Sequence, residues 1–271
     1  MNLKWMIIPA VFSVVLLASC VSDTSDKTNS YGSSNNNYGK TMDKAETKSK
    51  DDTSQVDALP QKDVLATVQS KLDSNVVVIL PTSIPLSSDK HYLSAATTST
   101  DNKYDVVFYE TKQPTSVNSP DLKDTSKATP IATVSGQNYE TEEEAGEATG
   151  HLNNVNTGVN GVDLGSGITG YSDAGAGSTF LNWAEGRYSL GVRNTTSADP
   201  EVSIDLAKKV VAKLEKETLP IPHQLGAVKL EAEPNRADGN SIRWQNQKTV
   251  YSVSQFADPL DGVSIATSYE K

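Results

Sequence analysis

Few residues in this chain have the types and spacings that could do chemistry. Its three histidines, His91, His151 and His223, are far apart. None falls in an HxxxH or HExxH spacing, so no single helix face offers two of them to a metal. No GxSxG elbow occurs, which leaves an elbow-type serine hydrolase without a nucleophile. Gly165-Ser166-Gly167-Ile168-Thr169-Gly170 does match GxGxxG, with Glu185 further on. That fingerprint works only where a helix opens at the glycines and turns its N-terminus to a pyrophosphate. The run Tyr171-Ser172-Asp173-Ala174-Gly175-Ala176-Gly177 that follows cannot hold a helix. Glycine turns between strands are therefore expected, and no nucleotide cofactor. Glu140, Glu142, Glu143, Glu144 and Glu147 make the densest acidic spot, whose expected role is a solvated face rather than a cation site. Trp183, Glu185, Arg187 and Tyr188 place aromatics beside charged groups, a mixture that could stack on a sugar or peptide. Aromatics on a hairpin more often join the core, so both readings stand for that patch. No catalytic residue, metal ligand or cofactor-binding residue is expected from these patterns.

The remaining reactive group is Cys20, the one cysteine in the chain. It closes a run from Trp5 to Leu17 that is apolar apart from Ser13 and follows Lys4. About 13 helical residues span roughly 20 Å, short of a hydrocarbon core of about 30 Å. Such a length with such flanks is the hydrophobic region of a secretory signal. Leu17-Ala18-Ser19-Cys20 resembles the lipobox of bacterial lipoproteins. The resemblance implies a diacylglycerol on the Cys20 thiol and cleavage just before it, leaving Cys20 as the new N-terminus. Stable anchoring takes two acyl chains, at about 0.8 kcal/mol per buried methylene, and a diacylated cysteine supplies both. With that thiol acylated, no disulfide, thiolate nucleophile or zinc-thiolate site remains.

Composition is consistent with an exported, tethered body. The formal net charge is −10, from 24 Lys and Arg against 34 Asp and Glu. That balance argues against nucleic acid, whose affinity comes largely from cations on phosphates. It argues equally against a basic patch on anionic lipid. Residues 21–60 are low in complexity, with Val21, Met42, Val56 and Leu59 nearly their only aliphatics. They cannot bury enough apolar surface to offset backbone ordering, so a disordered tether is expected. The expected organisation is a signal peptide at 1–19, a lipidated N-terminus and tether at 20–60, and a folded body at 61–271.

Within the body, Asp63 is expected to cap a short helix bearing Val64, Leu65, Val68 and Leu72. The β-branched run Val76 to Leu80 reads as a buried strand. Further strands are expected at 92–96, 104–109 and 131–134, with a long proline-bearing loop at 111–130 between the last two. Glycine turns join short strands at 162–164 and 168–171. A hairpin follows from Thr179–Trp183 and Arg187–Val192, turning at Ala184-Glu185-Gly186. Asp199 and Pro200 open the best helix, whose apolar stripe reads Val202, Leu206, Val210, Leu214 with Val211 alongside. Strands at 227–231, 241–245 and 249–256 precede a last helical stretch at 258–268, which Gly262 weakens.

Strands outnumber helices and hairpins dominate. The expected fold is α+β: a mostly antiparallel sheet with one long and one or two short helices packed on it. Leu80-Pro81-Thr82-Ser83-Ile84-Pro85 and Leu219-Pro220-Ile221-Pro222 each follow a helix and precede strands. That echo suggests two similar halves, 61–150 and 155–271. Trp183-Ala184-Glu185-Gly186-Arg187-Tyr188 and the Leu-Pro-x-Pro after the long helix resemble lipoproteins of Gram-positive cell envelopes, a likeness that carries no activity with it. The first expectation is a non-enzymatic binding or docking module on the extracytoplasmic face of the cell membrane. Its partners would be membrane lipid through acylated Cys20 and a wall polymer or envelope protein. The alternatives are a wall hydrolase using acidic residues, or an accessory subunit of an envelope complex.

Overall fold

Alternation along the strands builds the architecture. In β2 (Lys103–Thr111), Tyr104, Val106 and Phe108 are fully buried, while Lys103, Asp105 and Val107 between them stay partly open. A pleated strand sends successive side chains to opposite faces, so such a pattern places one face on a core and leaves the other to solvent. The computed structural model describes residues 57–155, 161–233 and 236–270. Cys20 and the expected signal peptide and tether up to residue 56 lie outside the described residues.

The strands are β1 (Tyr92–Thr100), β2, β3 (Ala128–Asn138), β4 (Gly161–Gly165), β5 (Ile168–Gly175), β6 (Ser178–Glu185), β7 (Tyr188–Thr195), β8 (Gly226–Glu231), β9 (Ser241–Asn246) and β10 (Thr249–Ser254). The helices are α1 (Gln61–Lys71), α2 (Glu142–Thr149), α3 (Pro200–Leu214) and α4 (Pro259–Thr267). All ten strands form one sheet in the order β1-β2-β3-β10-β9-β8-β7-β6-β5-β4. Every pairing is antiparallel except β7 with β8, which α3 joins as a crossover. The α+β expectation is met, with one long and three short helices packed on the sheet.

Three of the helices lie on one face. Val64 and Val68 of α1, Val210 and Val211 of α3, and Val263 and Ile265 of α4 join a single core with Phe108, Trp183, Leu190 and Ile242. Tyr269, just past α4, meets the Trp244 ring edge-on at 4.9 Å. Alternation turns Arg243 and Gln245 to the opposite face, where α2 sits. Arg243 Nη1 donates to Ala148 O at 3.1 Å and Gln245 Nε2 donates to Glu142 O at 2.7 Å. Eight residues of α2 are thus the helical cover of that second face among the described residues.

Caps follow the sequence in α3 and α4. Asp199 accepts from Glu201 N at 3.0 Å, and Asp258 from Leu260 N at 2.7 Å. α1 departs from expectation: Asp63 lies inside its first turn, and no side chain caps it. Gln61 instead exchanges two hydrogen bonds with the backbone of Ile84.

Two expectations need correction. Residues Val76 to Leu80 form no strand. They run as an irregular strap across the core face, between α1 and β1, and two buried tyrosines satisfy their backbone. Tyr104 Oη donates to Ile79 O at 2.9 Å, and Tyr251 Oη to Val77 O at 3.0 Å. The α3 stripe is also rotated. Val210 and Val211 are buried as expected and Leu206 and Leu214 pack partly buried against the core, but Ser203 and Ala207 are buried too and Val202 is 46% exposed. Successive i+4 positions advance by about 40° around the axis, so a row of four winds off any one face.

The order α-β-β-β-α occurs twice, at 61–149 and 200–267. β3 and β10 pair antiparallel where the two runs meet. The packing is not duplicated, because α2 and α4 lie on opposite faces. The four-stranded meander β4 to β7 belongs to neither run, and the described body groups as one unit rather than splitting near 150.

Candidate functional site

The predicted patch lands beside the β6–β7 turn. Glu185 pairs with Tyr188, so the tight turn is Gly186-Arg187, one residue further on than expected. Its side chains pin the loop after α3. Tyr188 Oη donates to Pro220 O at 2.7 Å, and Arg187 Nη1 donates to Pro222 O at 2.8 Å and to His223 O. Between turn and loop lies a cleft of about 320 Å³. Glu185, Arg187 and Tyr188 line it with Leu214, Leu219 and Ile221. Ile221 is 76% exposed. Trp183 is fully buried and does not line the cleft; its indole is core. Its Nε1 donates to Glu185 Oε1 at 2.8 Å.

Two carboxyl groups with opposed environments border this cleft. Burial raises Glu185 above the usual carboxylate range; the Trp183 N–H draws it partly back, and the charge of Glu215 adds to the rise. Hydrogen bonds from Thr267 and then Lys213 hold Glu217 below that range. Such divergence is how acid and base roles are assigned in hydrolytic sites. Here, however, both Glu217 oxygens are engaged, Oε1 by Lys213 Nζ at 2.9 Å and Oε2 by Thr267 Oγ1 at 2.6 Å. Arg187 and Tyr188 are likewise turned to backbone carbonyls. The cleft is built to hold a loop and offers apolar walls.

A second constellation escaped the sequence reading. Ser87, His91 and Glu110 meet at the end of β2: Ser87 Oγ donates to Glu110 Oε1 at 2.6 Å, and His91 Nδ1 lies 2.6 Å from the same oxygen. A catalytic triad needs the serine on one ring nitrogen and the acid on the other. Here Nδ1 faces both, and the hydroxyl proton goes to the acid. The trio fastens the 87–91 segment to the sheet. His151 Nδ1 lies 2.7 Å from Gly226 O, and no group of three or more His, Cys, Asp or Glu gathers as metal ligands among the described residues. Ser166 and Gly167, both at positive φ (52° and 78°), form the β4–β5 hairpin turn, as the discounted GxGxxG run required.

The uncovered sheet face holds a groove of about 340 Å³. Lys103 and Asp105 from β2, Ser135 and Gln137 from β3, Arg243 from β9 and Ser252 from β10 line it. Lys103 and Asp105 pair at 2.9 Å, and the Ser135 and Ser252 hydroxyls bond at 2.7 Å. These side chains come from four strands spread over most of the body, so no local motif could announce them. Beyond α2, on the same face, Glu231 is buried between Arg193 at 3.1 Å and Arg236 at 3.6 Å, a paired charge that stabilises its surroundings rather than offering an open ligand group.

Compared with protein-family models, curated proteins and solved structures, the chain matches none. Its reading therefore rests on its own residues. No helix among the described residues is long and apolar enough to cross a membrane.

Proposed function

We propose that this chain is an extracytoplasmic lipoprotein, held at the cell membrane by lipid on Cys20, whose body is a non-enzymatic binding module. The Leu17-Ala18-Ser19-Cys20 pattern supports the anchor. One observation carries the binding role: three helices and the 76–80 strap pack on one face of the sheet, while the other bears a polar groove with side-chain donors and acceptors to spare.

Two measurements test the reading. Cys20→Ala in a bacterial host should release the protein into the medium or stall its maturation; retention at wild-type level overturns the anchor. In detergent, wild-type chain should co-sediment with envelopes stripped of lipid, and Lys103→Ala/Asp105→Ala should lower the bound fraction several-fold. An unchanged fraction overturns the groove as the binding surface.

The second reading is a wall hydrolase at the β6–β7 cleft, favoured by the raised Glu185 carboxyl facing the same cleft as Glu217. It requires that wild-type chain clear a wall suspension and that Glu185→Gln stop it.

A further inference from the structure

We infer that the groove on the uncovered face takes a short, uncharged, hydroxyl-rich ligand, namely an oligosaccharide segment. This rests on the binding-module reading and names its ligand class.

The groove sits over the middle of the sheet. Backbone N–H and C=O groups of β3, β10 and β9 are consumed there by the β3–β10 and β10–β9 ladders. An extended peptide needs a free strand edge for its backbone, and this floor has none. Recognition must come from side chains. Those present are neutral in sum or nearly so: Lys103 is matched by Asp105, which leaves Arg243 as the extra charge. A phosphate-rich polymer would meet the Asp105 carboxylate among the lining groups, where like charges repel.

What the groove does offer is a mixed set of donors and acceptors in many directions. The Gln137 side chain makes no hydrogen bond to the described residues. Gln255 accepts from Thr133 Oγ1 at 2.7 Å through Oε1, and its Nε2 is unused. Arg243 uses one N–H, on Ala148 O, of the five a guanidinium carries. The Ser135–Ser252 pair has a hydroxyl proton and lone pairs left over, since each hydroxyl has one donor and two acceptor sites. Tyr139 lines the groove as an aromatic. Each sugar hydroxyl donates one bond and accepts others, which suits this combination of carboxylate, amide, guanidinium and hydroxyl. The volume lies at the lower end of small-molecule sites, in keeping with a short run of rings.

The test titrates full-length chain in detergent with chitohexaose and maltohexaose, and separately with inorganic polyphosphate. At least one neutral hexasaccharide should bind saturably with little dependence on salt. Asp105→Ala should raise its Kd by about tenfold or more, the loss expected for a hydrogen bond to a charged group. Gln137→Ala should raise it several-fold, and Asn182→Ala, in the separate cavity beyond α2, should leave it unchanged. Circular dichroism and melting of each variant verify folding; if Asp105→Ala is misfolded, Gln137→Ala decides. Binding of neither hexasaccharide overturns the inference. So does equal binding by the groove variants, or tight, salt-sensitive binding of polyphosphate alone. If the sugars fail while the Lys103/Asp105 variant still loses envelope co-sedimentation, the ligand class falls and the binding module stands. If both fail, both fall.

Discussion

The two faces of the sheet use the same strands and opposite chemistry. On the helix-covered face, Tyr104, Phe108, Val134, Val253 and Ile242 are each at or near zero exposure. One residue along, the other face carries Asp105, Ser135, Ser252 and Arg243, with hydroxyl, carboxylate and guanidinium groups in reach of water. The covered face holds its members by close packing, where a missing methylene is felt. The open face holds its members by the backbone ladder beneath them, so its side chains can be exchanged. Close packing and solvent-facing polar groups thereby fall on alternate residues of the same strands.

The largest expected effect tests the covered face. Phe108→Ala should lose about 3–5 kcal/mol in chemical denaturation, the transfer loss plus a residual cavity. A loss under about 1 kcal/mol would mean that this face is loosely packed and the contrast is overstated.

Overpacking comes next. A Cβ at Gly262 would run into the Phe256 ring, so Gly262→Ala should cost about 1–3 kcal/mol although alanine is the better helix former. The same glycine weakened the sequence case for α4. Its presence is explained by a contact that sequence alone does not display.

Legibility divides along the same line. Strands β8 to β10, the hairpin β6–β7 and the Asp199-Pro200 start of α3 were readable, because alternation, turn residues and caps are local signals. The strap at 76–80 was not. A β-branched run suits a buried strand, and nothing nearby reveals that Tyr104 and Tyr251 supply its backbone partners. The α3 stripe missed at Val202 for a related reason: aliphatic spacing gives a face, and the sheet decides how that face is turned. The predicted patch put Glu185, Arg187 and Tyr188 at one cleft but counted Trp183, which is core. The open-face groove was illegible, since Lys103, Gln137, Arg243 and Ser252 converge only through strand order.

The strap sharpens the comparison by a chemical route. Tyr104→Phe keeps the ring and removes the hydroxyl that donates to Ile79 O at 2.9 Å. Leaving that carbonyl unsatisfied should cost about 1–3 kcal/mol and raise amide exchange at 76–80. Unchanged exchange would mean that the strap is held by its aliphatics, with the tyrosine incidental.

The Ser87–His91–Glu110 trio gives a pH signature. Burial alone would raise the Glu110 carboxyl, but hydrogen bonds from Ser87 and His91 outweigh it and lower the value from 4.5. A depressed carboxylate contributes stability that is complete above its unfolded value and fades as pH falls through its folded one. Melting of wild type and Glu110→Gln should therefore differ most near neutral pH and converge as pH falls below 4.5. A gap that widens on acidification would reverse the sign and overturn the lowered Glu110 carboxyl.

The smallest effect belongs to the open face. Ser135→Ala removes one hydroxyl of the Ser135–Ser252 pair at 2.7 Å. Ser135 is only partly buried, so water can replace the lost partner and the β3–β10 ladder beneath is untouched. The change in unfolding free energy should stay within about 0.5 kcal/mol, as for surface positions in general. A cost equal to that of Tyr104→Phe would show that the hydroxyl row holds the sheet together. The two faces would then share one task, and the groove would lose its claim to be surface kept free for a ligand.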